Sequence, residues 1–137
     1  MENIKAFLLP PVMNEEKEIV ISQRFKGEDG KPIPFVVRVI DQETNRKLLK
    51  QATIRHKTNG QIMQEFDADK YTRLLVLECT KYPNFRDAEL CSFYKTADPS
   101  EVPPRMLSIG EHNKLVKAIK EINDIRTDYD EIASLEE

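Results

Sequence analysis

The sequence has no tryptophan, two cysteines, two histidines and four glycines in 137 residues, and each scarcity closes off a class of function. Cys79 and Cys91 are too few for a disulfide framework and fit a reducing cytoplasm. They form no Cys-x-x-Cys pair, and no His pair stands at ligand spacing, so a four-ligand zinc site has no donors to build on. Gly27, Gly30, Gly60 and Gly110 make neither a Walker loop nor a dinucleotide fingerprint. Asp67 and Asp69 resemble the opening of a calcium loop, but the glycine and terminal glutamate of that motif do not follow, and helix capping accounts for both. No run approaches the ~18 apolar residues that a bilayer span needs. The apolar patch near the N-terminus is interrupted by Pro10 and Pro11 and lacks the shape of a secretory signal. Acidic and basic side chains are interspersed at a net charge of −3, which leaves no broad positive face for a phosphate backbone. Neither nucleic acid nor membrane is therefore an expected partner.

What is present is dominated by local signals for helices and turns. The strongest lies in residues 103–125, PPRMLSIGEHNKLVKAIKEINDI. Pro103 and Pro104 have no N–H to donate and are expected to interrupt whatever precedes them. Ser108 and Glu111 fit a capping box, in which each side chain accepts from the other residue's backbone N–H. Leu115, Ala118, Ile119, Ile122 and Ile125 follow at spacings of three and four, the apolar stripe of an amphipathic helix.

Upstream, residues 19–25 and 33–40 are rich in β-branched and apolar side chains and predict a hairpin across the turn GEDGKP. Phe35, Val37 and Val39 share one face of the second strand; Val36, Arg38 and Ile40 share the other. Asp41 predicts the N-cap of a short helix with Leu48 and Leu49 as its buried patch. Asn59-Gly60 is a type I′ hairpin signal between polar arms, 52–57 and 61–66, whose apolar members are Ile54, Ile62 and Phe66. Asp67 or Asp69 opens a largely buried helix reaching to about Thr80, ended by Pro83. Asn84 or Asp87 caps a short helix over 88–94, and TADPSEVPP reads as loop. The fold class expected is α+β: small N-terminal antiparallel hairpins followed by a mainly helical C-terminal half. Residues 1–16 form an arm, 17–125 a single domain, and 126–137 an acidic tail that continues the last helix or frays. The rhythm Leu115, Ala118, Ile122, Ile125, Tyr129, Ile132 leaves two alternatives: a helix glued to its own core, or a helix–helix seam.

Catalytic chemistry finds no residues to stand on. His56 lies in a polar hairpin arm and His112 in the first turns of the Ser108 helix, and neither has a nucleophile motif nearby. No catalytic, cofactor-binding or metal-ligating residue is assigned.

The order of signals in the second half carries a resemblance. Phe66-Asp67 precedes Tyr71; Tyr82-Pro83-Asn84-Phe85 precedes Asp87 and Leu90; Met106-Leu107 precedes Gly110-Glu111 and Leu115. Over residues 17–125 this resembles the XkdN-like tail assembly chaperones of contractile-tailed phages and prophage elements. The resemblance implies a non-enzymatic, cofactor-free assembly factor of the host cytoplasm, absent from the finished virion. It implies the tape measure protein and the tail tube protein as partners, and a longer frameshifted product sharing this domain; self-association is left open. The surfaces suited to gripping a partner are the arm residues Phe7, Leu8 and Leu9, the cluster Phe85, Leu90, Phe93 and Tyr94, and the seam Ile125, Tyr129 and Ile132. The alternative is a small regulatory or adaptor module of a prophage that binds another protein through the same patches.

Overall fold

The computed structural model describes residues 3–10 and 15–125. In chain order these form a 3-10 helix (Ile4–Phe7), β1 (Glu16–Ile19), β2 (Phe35–Arg38), α1 (Gln42–Gln51), β3 (Thr53–Thr58) and β4 (Gln61–Phe66). There follow α2 (Ala68–Cys79), β5 (Thr80–Tyr82), α3 (Ala88–Phe93), a 3-10 helix (Pro99–Glu101), α4 (Val102–Met106) and α5 (Ile109–Ile122). The class is α+β, with antiparallel strands early and helices filling the second half.

Local capping fixes where most helices begin. Asp41 accepts from Thr44 N–H at 2.8 Å, Asp67 from Lys70 N–H at 3.0 Å, and Asp87 from Glu89 and Leu90 N–H at 2.9 and 3.2 Å. At α5 the capping box closes in both directions: Ser108 Oγ accepts from Glu111 N–H at 3.2 Å, and Glu111 Oε1 accepts from Ser108 N–H at 2.9 Å. At the Asn59-Gly60 turn both residues have positive φ, 55° and 80°, the backbone of a type I′ hairpin.

The main sheet runs β1-β2-β5, antiparallel throughout. Central β2 alternates as its sequence demands: Phe35 and Val37 are buried, while Val36 and Arg38 are half-buried. α5 packs on β1, β2 and α2, and the core gathers Phe35 and Val37 with Leu75, Val76 and Cys79 of α2, Phe85, Val102, and Leu115, Ala118 and Ile119 of α5. Each fully buried Leu or Ile of that stripe contributes about 1.5–3 kcal/mol. The loop from β1 to β2 is anchored to the far end of the molecule by Arg24, which pairs with Glu111 and donates to the Met106 carbonyl.

Several expectations are corrected. The first strand is Glu16–Ile19, earlier than residues 19–25, and faces only Phe35–Arg38. Pro34 and Pro32 have no N–H for a ladder, so regular pairing stops at Phe35. Beyond it, an isolated bridge between Lys26 and Pro32 is what remains of the expected hairpin. α2 ends at Cys79, in keeping with the expected end at about Thr80, but the chain then passes directly into β5, an unexpected strand that pairs with β2 through Thr80 and Tyr82. TADPSEVPP is not loop throughout, because Pro103 and Pro104 lie in the first turn of α4, where a missing N–H costs nothing. Leu48 is buried as expected, whereas Leu49 is exposed.

α5 also stops sooner than its apolar rhythm suggests. Asp124 takes φ 54°, Ile125 N–H donates to the Lys120 carbonyl and Asp124 N–H to the Glu121 carbonyl, a Schellman closure with Asp in place of the usual glycine. The Asn123 side chain secures this end: its Oδ1 accepts from Ile40 N–H at 3.0 Å and its Nδ2 donates to the Arg38 carbonyl at 3.2 Å. Tyr129 and Ile132 lie outside the described residues.

Candidate protein-binding surfaces

The groups with chemical potential are occupied or isolated. The Glu111 carboxylate is held by Arg24, with Nε to Oε2 at 2.8 Å and Nη2 to Oε1 at 2.7 Å. That pairing, with the Ser108 N–H, keeps its carboxyl at about 2, too acidic to move protons near neutrality. His112 is half-buried, and burial pushes its imidazole below the ordinary value. Its Nε2 has no hydrogen-bond partner among the described residues. The shallow cleft beside it, about 220 Å³, is lined by Pro104, Leu107, Ser108, Ile109, His112 and Asn113, which together lack an oriented nucleophile and base. Burial pushes the Cys79 thiol up to about 12, so it behaves as a small hydrophobe. His56 is exposed on β3 opposite Met63. Among the described residues no three His, Cys, Asp or Glu side chains converge to hold a metal ion, and no helix is long and apolar enough to cross a membrane.

The expected contact residues are scattered by the fold. Phe7, Leu8 and Leu9 are all strongly exposed, on the 3-10 helix and just after it. The middle cluster does not form a patch. Phe85 is 1% exposed, its ring 6.5 Å from that of Phe35, because the turn after β5 drives it into the core. It is therefore a packing residue and no part of a surface. Leu90 and Tyr94 are half-buried against the same core, and only Phe93, at 73% exposure, points outward. Ile125 also packs on the core.

A further group of exposed apolar side chains lies on the ribbon β3–β4. It is a two-stranded sheet without a third strand among the described residues. Its pairs place Thr53, Arg55, Lys57, Ile62, Gln64 and Phe66 on one face and Ile54, His56, Met63 and Glu65 on the other. Ile54, Ile62, Met63 and Phe66 are all exposed, Ile62 at 67%. Phe66 leans on the body, its ring 5.8 Å from that of Tyr71. A lone hairpin is marginal in water; here the Tyr71 hydroxyl bonded to Asn45, and Asp67 N–H donating to the Ala52 carbonyl at 2.8 Å, fix its root between α1 and α2. Among the described residues no strand pairs with either edge of the ribbon, the geometry that accepts an added strand. Sequence reasoning identified the ribbon but assigned it no contact role. The signal was the absence of any third strand able to cover its apolar side chains.

A smaller apolar hollow of about 150 Å³ lies among Phe25, Ile33, Phe35, Tyr82, Pro83 and Met106, beside edge strand β5. Tyr82 is half exposed at its rim.

Comparison with known proteins gives concordant results. A family model described as phage XkdN-like tail assembly chaperone protein matches residues 4–137. Two proteins of Bacillus subtilis strain 168, the uncharacterized protein YqbN and the phage-like element PBSX protein XkdN, are each 36% identical over 132 residues, spanning 93% of this chain and 88% of theirs. The crystal structure of the protein YqbN superposes with a TM-score of 0.73 at 32% identity, over 88% of this chain and 96% of that one.

Proposed function

The chain belongs to the phage XkdN-like tail assembly chaperones, and from that premise we propose that it works without catalysis, holding the tape measure protein of a phage-like tail in soluble form and presenting it to tail tube subunits. One observation carries the reading: Ile54, Ile62, Met63 and Phe66 are kept out of the core on a ribbon whose two edges pair with no other strand among the described residues. A holdase needs apolar surface that stays available, with charge around it to prevent self-association. One third of the residues are charged and interspersed, which supplies that rim. Phe7, Leu8, Leu9 and Phe93 add exposed contacts at other points. In this reading the protein acts in the cytoplasm of the bacterial host and is left out of the finished virion.

The test is co-expression with the tape measure protein, scored by the client's soluble fraction. The wild-type chain is expected to keep the client in solution. The triple variant Ile54→Ser/Ile62→Ser/Met63→Ser should lose that effect while its circular dichroism and melting temperature stay close to wild type. A client that precipitates equally with and without the wild-type chain sinks the proposal and favours the regulatory or adaptor role.

A further inference from the structure

Between α1 and the ribbon lies an open cleft of about 610 Å³, lined by Arg46, Leu49, Lys50, Thr53, Arg55 and Gln64. Three of these are cations and none is an acid. Arg46 meets Glu43 only at 3.7 Å with both side chains largely exposed, a pairing worth little. Lys50 and Arg55 form no ion pair among the described residues. Lys50 stands in the last turn of α1, where it answers the carbonyl end of the helix. Arg55, on a strand, has no such use, and Lys57 continues its face outward. Glu65 is on the opposite face, across from Ile54, and does not neutralise them. Leu49 adds an exposed apolar floor. The cleft is complementary to a segment that carries several carboxylates with apolar side chains between them.

This chain contains such a segment. Residues 126–137, RTDYDEIASLEE, hold Asp128, Asp130, Glu131, Glu136 and Glu137 against the single cation Arg126, with Tyr129, Ile132 and Leu135 between the acids. Its starting point is fixed: Asn123, two residues before Ile125, is hydrogen-bonded to Ile40 N–H, immediately before α1. From there the cleft lies along α1, about 12 Å away at 1.5 Å per helical residue. An extended stretch of this length spans up to about 40 Å. We propose that the basic cleft of α1 and β3 binds the acidic C-terminal segment 126–137 of the same chain.

A nitroxide at Ser134→Cys, in a Cys91→Ser background with Cys79 fully buried, tests this by paramagnetic broadening of amide signals in the full chain. The expected result is loss of the Lys50, Arg55 and Gln64 amide signals, reversed at about 1 M salt, where the Debye length is about 3 Å. Lys50→Glu/Arg55→Glu, both at exposed positions, should restore the remaining signals without unfolding the protein. Undisturbed signals around the cleft, or broadening that survives the double substitution, would overturn the assignment. So would broadening seen when labelled and unlabelled chains are mixed, since the occupant would then be the tail of a second copy. These outcomes are read without any client, so they stand apart from the holdase test.

Discussion

Arg24 and Glu111, 87 residues apart, meet in a two-point ion pair that joins the β1–β2 loop to the first turn of α5. The same carboxylate accepts from Ser108 N–H, so one side chain closes a local cap and a long-range tie together. Arg24 also lies 4.3 Å from the centre of the Phe25 ring, which steadies the guanidinium from its open side.

Acid should loosen this tie. Arg24 first, then the Ser108 N–H, hold the Glu111 carboxyl at about 2, below the ordinary carboxylate value. A carboxyl lowered by folding contributes stability above its unfolded value of about 4.3, lost as pH falls through its folded value. Urea midpoints of wild type and Glu111→Gln are therefore expected to differ near neutrality and to converge between about pH 4.3 and pH 2. A gap that stays constant across that window would count against the carboxylate as its origin.

Truncations along α5 should rank by burial. Leu115→Ala and Ile119→Ala, at 0% exposure, are each expected to cost about 2–5 kcal/mol. Ile122 is only half-buried, so Ile122→Ala should cost less. Ser108→Ala should cost about 1 kcal/mol through the lost cap, and Ile109→Ala, at 83% exposure, no more than about 0.5 kcal/mol. Denaturant titration gives the order directly.

Asn123→Ala is expected to destabilise by about 1–3 kcal/mol, because it strips partners from Ile40 N–H and the Arg38 carbonyl at a half-buried site. Asn123→Asp keeps the acceptor and loses the bonds that Nδ2 donates to the Arg38 and Ile119 carbonyls and to Cys79 Sγ, so it should fall between alanine and wild type. Thermal melts of the three proteins would expose any other order.

Cys79 should resist alkylation at about pH 8, since its thiol is pushed up to about 12 by burial and the thiolate is the reactive form. Iodoacetamide followed by mass spectrometry should label Cys79 only as the protein unfolds in denaturant. Rapid labelling of Cys79 in the native chain would contradict its burial.

Much of this fold could be seen in the sequence where the governing interaction spans a few residues. Asp41, Asp67, Asp87 and the Ser108/Glu111 box start their helices through bonds that reach at most three residues ahead. Asn59-Gly60 sets its hairpin by tolerating positive φ at both positions. The stripe of α5 follows from helical period alone. The contact residues were less legible: exposure of Phe7, Leu8, Leu9 and Phe93 matches their apolar prominence, but Phe85 looked equally available in sequence and is buried.

The sequence by itself determined the helix starts, the ribbon turn, the apolar stripe of α5 and the poverty of reactive groups, because each depends on residue chemistry or near neighbours. Only the tertiary structure decided that 80–82 joins β2 as a strand, that pairing stops at the proline-containing loop, that Phe85 goes inward, and that α5 ends at Asp124. It also decided which apolar side chains stay in water: a side chain's exposure depends on what distant segments fold over it, and nothing among the described residues covers the ribbon.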